Sequence, residues 1–419
     1  MGPIFIEHIH INKVRHLSGI DIPLSSQERK HLILTGRNGS GKTSTLWAIK
    51  NYLSDFNNIG HVPQWRQQVS HWEELIKQEQ SRVAESEFSE TDRQETISRI
   101  GHHQANINGY RQALEPYDSL TINLKNLGYI SFYYQEGNFV TAFFNAKRDT
   151  SLNKPTGINK VEIKNIYSLE EIARTNFIQY IVNLKADRSF ARDENDMISV
   201  GEIDEWFEKF EQGLREIFDD EKLRLEFDRK NYNFNIVLGN RETFDLNTLS
   251  DGYSAIMSIV TELILRMENK SSRVYDIQGI VLIDEIETHL HIELQKKILP
   301  FLTNFFPNIQ FIVTSHSPFV LGSLENAVVY DLEKRILVED LTGYSVEAII
   351  ESYFDSDKYS DKLKKEVVEY EQLLNLTNPI EEQKERREFL IKYFRELPKF
   401  MAPEFELKIN QLELASIQK

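Results

Sequence analysis

Apolar positions along this chain follow three rhythms. At the start, Ile4 to Ile11, Ile20 to Leu24 and His31 to Thr35 are short apolar runs that predict strands. The last run stops at a glycine-rich turn, and Ser44 to Leu53 continues as a helix with Leu46, Ile49 and Leu53 at helical spacing. From about Pro63 to Pro116 the texture changes to Gln, Glu, Arg and His. Trp65, Val69, Trp72, Leu75 and Ile76 recur there at helical intervals, which predicts a helical hairpin with arms Pro63 to Ala84 and Glu90 to Leu114, either a solvated excursion or an arm that docks a partner. Alternating β-formers between 119 and 146 predict antiparallel strands, with Tyr129 to Gln135 and Phe139 to Asn145 joined at Glu136, Gly137 and Asn138. Helices are predicted over Leu169 to Leu184 and Val200 to Phe218, and strands over Leu223 to Phe227 and Phe234 to Leu238.

The third rhythm alternates helix and strand: Tyr253 to Met267, Gly279 to Asp284, Ile292 to Phe305 and Ile309 to Thr314. Such alternation predicts a parallel sheet covered by helices. The tail from Tyr344 reads as charged and helical, with breaks at Asn378-Pro379 and between Pro398 and Pro403.

At roughly 150 residues per domain, 419 residues predict two to three units. Apolar residues are 40% and charged residues 27%, as in ordinary globular proteins. A formal charge of −16 repels phosphate backbones, which disfavours autonomous, non-specific DNA binding. There is no cysteine, so disulfides, thiolate catalysis and Cys-based zinc sites are excluded. That fits a reducing interior, and a cytoplasmic location is expected. The first residues lack a signal-peptide pattern, and runs such as Gly279 to Ile283 and Phe311 to Val313 are far shorter than the ~20 residues that span a bilayer. No membrane contact is expected.

Gly36-Arg37-Asn38-Gly39-Ser40-Gly41-Lys42-Thr43 satisfies G-x-x-x-x-G-K-[ST] between a predicted strand and a predicted helix. In that context the glycines let backbone N–H groups converge on a phosphate chain, Lys42 neutralises phosphate oxygens and the Thr43 hydroxyl suits Mg2+. Ile280 to Ile283 deliver Asp284 and Glu285 to a strand end, where Asp284 suits Mg2+ and Glu285 suits a general base or polarising group toward water. His316 sits just past the next strand, in Thr314-Ser315-His316-Ser317. Leu249-Ser250-Asp251-Gly252-Tyr253 opens the helix before the Asp-Glu strand and makes a second anion site, best used on a neighbouring copy's nucleotide.

In this order and spacing the chain resembles the ABC-type ATPase head of the SMC, RecF and OLD-like branch over about residues 1 to 335. The resemblance makes GRNGSGKT the Walker A loop, LSDGY the signature, LIDE the Walker B strand with the catalytic Glu285, and SHS the bearer of the switch His316. It implies an α/β fold: a mostly parallel P-loop sheet, an antiparallel β subdomain, a helical-hairpin insertion and a helical C-terminal tail. The corresponding units are 1–62, 63–116, 117–339 and 340–419. It further implies ATP and Mg2+ as cofactors, with Gly36 to Gly41, Lys42, Thr43, Ser44, Ser250, Asp251 and Gly252 binding nucleotide and Thr43 and Asp284 holding metal. Lys42, Glu285 and His316 are the expected catalytic residues. The Q-loop contact stays open between Gln135 and the Asn145 to Arg148 segment, and Lys13 or Arg15 are candidates for the base and ribose. Glu287-Thr288-His289-Leu290-His291 is similar to the E-x-H-L-H segment of OLD-like ATPases, where His289 and His291 are expected to be structural. No TOPRIM-like metal unit is legible, since Asp355, Asp357 and Asp361 read as loop and helix-start acids. The chain therefore looks like a stand-alone ATPase subunit of bacterial anti-phage systems. That likeness implies a homodimer or higher oligomer and a separate nuclease or toxin effector, with DNA a further partner open to the complex. The alternative is a RecF- or OLD-type ATPase or nuclease acting on DNA directly.

Overall fold

In chain order the elements are β1 (Ile6–Val14), β2 (Leu17–Pro23), β3 (His31–Thr35), α1 (Lys42–Tyr52), α2 (Val62–Val83), α3 (Glu90–Leu114), β4 (Leu120–Leu124), α4 (Ile130–Gln135), β5 (Phe139–Phe144), α5 (Phe177–Asp193) and α6 (Met197–Phe218). Then follow β6 (Arg224–Asp228), β7 (Asn233–Val237), β8 (Phe244–Asp245), α7 (Asp251–Met267), β9 (Gln278–Ile283), α8 (Ile292–Phe305), β10 (Ile309–Thr314), α9 (Pro318–Leu321), β11 (Ala327–Asp331), β12 (Ile336–Glu339), α10 (Val346–Tyr353), α11 (Asp361–Leu374) and α12 (Glu381–Glu396). The computed structural model describes residues 2–83, 89–148, 150–239, 243–268, 277–353, 361–374, 376, 379–396 and 411.

The central sheet has the order β12-β11-β3-β10-β9-β5, with β12 antiparallel on the edge and the other five strands parallel. Every residue of β3 and β10 is buried, as expected of parallel strands covered on both faces. Register pairs Leu34 with Thr314, Val313 with Ile283, and Ile283 with Phe144, so β3, β10, β9 and β5 finish side by side. A second, antiparallel sheet has the order β2-β1-β4, and a third has β6-β7-β8.

Glutamine side chains join the first two sheets. Gln310 is fully buried in the middle of the core; its amide accepts from Ile6 N–H at 2.7 Å and donates to the Ile6 carbonyl at 3.0 Å. It also donates to the Lys30 carbonyl at 2.7 Å. Gln278 accepts from Ile4 N–H at 2.9 Å. A buried amide is tolerable because its donors and acceptor are satisfied.

Helices α2 and α3 pair as the predicted hairpin. Arg66 ties its base to the second sheet, donating to Thr121 Oγ1 at 2.6 Å and to the carbonyls of Tyr117 and Leu120. Along the arms, Arg111 pairs with Glu73 at 2.7 Å and Trp72 packs on His103. Ala84, at the expected end of the first arm, lies outside the described residues.

Two expectations fail for identifiable reasons. Tyr129 to Gln135 is not a strand: Leu127–Tyr129 is a 3-10 turn and α4 follows. Ile130, Tyr133 and Tyr134 stand at i, i+3 and i+4 and turn to the core, while Phe132 is 57% exposed, so the aromatic run carries a helical face. Gly137, with φ 74°, ends that helix instead of forming a hairpin, and β5 runs parallel to β9. The helix expected from Leu169 begins only at Phe177. Its first turns are prevented by tertiary bonds: the buried Glu262 carboxylate accepts from Ala173 and Arg174 N–H, and Arg266 donates to the carbonyls of Ser168 and Glu171. Backbone groups spent on these side chains are lost to a helix ladder.

By internal contacts the chain divides into Met1–Val346 and Glu347–Lys419. In the second unit α11 and α12 pack through Val367, Tyr370, Leu390 and Phe394, and Arg386 pairs with Glu369 at 2.8 Å. The break expected at Asn378-Pro379 falls partly outside the described residues, and Asp355, Asp357 and the break between Pro398 and Pro403 fall outside them wholly. No described helix is long and apolar enough to cross a membrane.

His31 opens β3, is 6% exposed and accepts from Phe311 N–H at 3.0 Å. Burial, aided by the Arg29 cation, pushes its imidazole from 6.5 down to about 3. The unfolded chain therefore binds this proton and the folded chain does not, so stability is full above pH 6.5 and falls as pH drops toward 3, by about 1 kcal/mol per pH unit. Urea midpoints at pH 7 and pH 5 test this: His31→Asn is expected to be less stable overall but to lose less between the two pH values than the parent. Equal losses would show that other groups carry the acid sensitivity.

Candidate functional site

β3 ends at Thr35 and the chain turns through Gly36 to Gly41 into α1. Gly36, Gly39 and Gly41 have φ of 129°, 85° and 100°, a region that L side chains rarely adopt. A Cβ on Gly41 would lie 2.7 Å from Leu17 Cδ1, so the loop is pressed against the turn between β1 and β2. Lys42 is buried, and its Nζ donates to the carbonyls of Gly36 at 2.8 Å and Arg37 at 3.0 Å. Arg37, Asn38 and Gly39 are exposed, with Arg37 N–H held by the Glu333 carboxylate at 3.3 Å. The Ser40 hydroxyl is buried and has no hydrogen-bond partner among the described residues. Thr43 and Ser44 line a cleft of about 350 Å³ with Val14, Arg15, Trp47 and Asn51. Of the two candidate base-side residues, Arg15 is in that wall and Lys13 is not.

Strand β9 brings two acids to the same edge. Asp284 is buried, and its Oδ1 accepts from Thr314 Oγ1 at 2.6 Å and Thr43 Oγ1 at 3.2 Å. Glu285 follows with φ 44°, a left-handed conformation that costs a side-chain-bearing residue roughly 1–2 kcal/mol. Main-chain bonds from Thr288 N–H to the Glu285 carbonyl at 3.0 Å and from Ile286 N–H to the Thr314 carbonyl at 3.1 Å hold this turn, and four bonds that involve side chains add to them. Glu285 N–H donates to Thr314 Oγ1 at 2.7 Å, Thr288 Oγ1 donates to the Glu285 carboxylate at 3.3 Å, and Arg148 Nη2 donates to the Glu285 carbonyl at 3.1 Å and the Asp284 carbonyl at 3.4 Å.

His316 follows β10, and its N–H donates to Glu287 Oε1 at 2.6 Å. The charges of the cluster act on one another. Burial lowers the Lys42 ammonium below its ordinary value, opposed by Glu285, Glu287 and Asp284. Burial and then Lys42 lower the His316 imidazole. The Arg148 guanidinium is pushed down to about 10 by burial, against the pull of Glu287, Asp284 and Glu285. Lys42, Thr43, Asp284, Glu285 and His316 are thus brought to one edge. The hydroxyl of Thr43 and the carboxylate of Asp284 form a hard-oxygen pair of the kind Mg2+ takes.

Ser250, Asp251 and Gly252 are placed elsewhere on this surface, at the start of α7. Ser250 and Asp251 are exposed, and the Ser250 hydroxyl makes no cap hydrogen bond. A Cβ on Gly252 would lie 3.0 Å from the His289 carbonyl and 3.3 Å from Leu294, so this helix start packs on the turn after β9. His289, with φ 66°, is exposed in that turn, and His291 precedes α8. Among the described residues no group of three His, Cys, Asp or Glu side chains is placed to hold a metal ion.

Arg148 and Glu287 belong to the cluster, and neither was singled out from the sequence for a role of its own. The signal for Arg148 was its place just past β5, in the segment left open beside Gln135. Gln135 itself donates to Asn57 Oδ1 at 2.9 Å at the end of α4, ahead of β5 and thus toward the opposite end of the sheet.

The family described as "AAA domain, putative AbiEii toxin, Type IV TA system" matches residues 166–322, a stretch that contains the 249–253 segment, Asp284, Glu285 and His316 but not the 36–43 loop. The Septu protein PtuA of Bacillus mycoides (strain KBAB4) is 28% identical over 398 residues, covering 91% of this chain and 49% of its own. The Retron Ec83 probable ATPase of Escherichia coli is 33% identical over 147 residues, 33% of this chain and 27% of its own. The Retron Vc95 probable ATPase of Vibrio cholerae serotype O1 biovar El Tor is 38% identical over 95 residues, 21% and 18% of the two chains. The chain spans about half the length of the first of these relatives and less of the others. With its glycine-rich loop, acidic strand end and histidine side by side on a parallel sheet, the chain is similar to the Septu protein PtuA and, over shorter stretches, to the two retron ATPases.

Proposed function

We propose that this chain binds ATP with Mg2+, hydrolyses it between two copies, and uses that cycle to control a separate effector. The observation that carries the reading is the meeting of Lys42, Thr43, Asp284, Glu285 and His316 at one sheet edge, with Thr43 and Asp284 3.2 Å apart. Backbone N–H groups from Gly36 to Ser44 cradle the phosphates, and Lys42 exchanges its carbonyl partners for phosphate oxygens. Thr43 and Asp284 hold Mg2+, which neutralises phosphate charge when bound. Glu285 takes the proton of the attacking water. His316, whose imidazole burial and then Lys42 push below its ordinary range, faces the γ-phosphate.

The exposed helix start at Ser250, Asp251 and Gly252 serves the nucleotide of a second copy, and the uncommitted Ser250 hydroxyl supports that use. ATP shared across two copies favours the paired state, because it has more partners there than on either copy alone. The names of the relatives, a Septu protein and retron ATPases, support a place in a defence system, where the effector is a nuclease or toxin and the target is phage infection. A cysteine-free chain suits the cytoplasm.

Phosphate release and fluorescent-nucleotide binding test the site. Lys42→Ala is expected to lose both. Glu285→Gln is expected to keep ATP binding, to lower kcat by about 10²–10⁴-fold, and to accumulate as an ATP-loaded dimer in light scattering; full turnover in this variant would remove Glu285 as the base. Ser250→Arg is expected to bind ATP as the parent does while neither pairing nor turning over, and normal kcat in that variant would rule out the shared pocket. Co-purification with the products of neighbouring genes tests the effector: a nuclease or toxin retained by the parent and released differently by Glu285→Gln supports the control step.

A further inference from the structure

Glu285 is the one acid of the cluster in left-handed backbone, and nothing about a glutamate favours that conformation. Its side-chain direction is set by the turn, so whatever holds the turn aims the carboxylate. Thr314 Oγ1 holds the N–H side. On the carbonyl side Thr288 N–H donates to the Glu285 carbonyl at 3.0 Å from within the turn, and Arg148 adds the bond from outside it, reaching from the end of β5 and spanning two successive carbonyls with one Nη2, at 3.1 Å to Glu285 and 3.4 Å to Asp284. Its Nε is buried and has no hydrogen-bond partner among the described residues. The charges of Glu287, Asp284 and Glu285 oppose that cost, Glu287 most strongly. Glu287 Oε1 is meanwhile engaged by His316 N–H at 2.6 Å, and its Oε2 is buried without a partner among the described residues.

We propose that Arg148 is a positioning residue for Glu285: it clamps the strained Asp284-Glu285 turn from the neighbouring strand, with Glu287 as the counter-charge that links the clamp to the His316 backbone. This rests on the reading of Glu285 as the base. A lysine at 148 carries the charge but lacks the planar fork, so it restores the clamp only in part.

Two measurements test the proposal. In steady-state ATP hydrolysis, Arg148→Ala is expected to lower kcat at least 10-fold with KM changed less than about 2-fold, and Arg148→Lys to recover part of the loss. A loss confined to KM would make Arg148 a nucleotide contact, and an unchanged kcat would leave it without a positioning role; either result overturns the proposal. The second measurement does not depend on turnover. Glycine adopts the left-handed conformation freely, so Arg148→Ala is expected to lower the thermal midpoint of the parent more than that of Glu285→Gly. Equal decrements in the two backgrounds would refute the clamp. If the parent shows no ATP hydrolysis at all, the catalytic reading falls, while the thermal cycle still decides whether Arg148 holds the turn.

Discussion

Hydrogen-bond register across β3, β10 and β9 is the constraint on which the site depends. A parallel ladder has evenly spaced bonds, so each strand's C-terminal end is located relative to its neighbour's once a single pair is set. Pairing Leu34 with Thr314 and Val313 with Ile283 therefore fixes where the glycine-rich loop, the Ser315-His316 turn and the Asp284-Glu285 turn begin. A slip of one residue in β9 would turn the Asp284 carboxylate to the other face and away from Thr43 and Thr314. Because these strands are buried along their length, such a slip would also displace packed side chains throughout the core, and this is what makes the arrangement rigid enough for chemistry.

Thr314 shows how few residues are needed to convert that register into a site. Its hydroxyl donates to Asp284 and accepts from Glu285 N–H, so one side chain on β10 orients both acids on β9. Arg148 does the complementary work from β5, on the other side of β9. The two acids are adjacent in sequence but are set in different environments by neighbours on opposite flanks: Asp284 is buried and doubly bonded, while Glu285 is half-buried.

Much of this was legible in the amino-acid pattern. The helix-strand alternation after Leu249 places α8 and β10 at their observed limits, because a run such as Ile309 to Thr314 is too short and too apolar to be anything but a buried strand. The hairpin was legible for the opposite reason, a polar stretch between Pro63 and Pro116 with the sparse stripe Trp65, Val69, Trp72, Leu75 and Ile76 in its first arm, and the structure adds Ser89 as the N-cap of the second. Misreadings fell where distant residues overrule local preference. Aromatic residues in Tyr129 to Gln135 have strand propensity, yet only their helical arrangement buries Ile130 against the core. The 168–174 segment has a helical pattern, yet its backbone is bound to Glu262 and Arg266 some 90 residues later in the chain. Arg148 was hard to single out for a related reason: its partners are main-chain carbonyls that no side-chain motif encodes.

The amide of Gln310 has a consequence for how the N-terminal sheet can move. It engages both the donor and the acceptor of Ile6, as a neighbouring strand would, and Gln278 adds one bond two residues away at Ile4. That makes Gln310 an indexing pin: β1 has one axial setting against β10, and the Gln278 bond at Ile4 limits twist about it. An apolar residue of similar volume at 310 would take the partner from three main-chain groups, the Ile6 N–H and the carbonyls of Ile6 and Lys30, and would leave Gln278 as the glutamine tie between the two sheets.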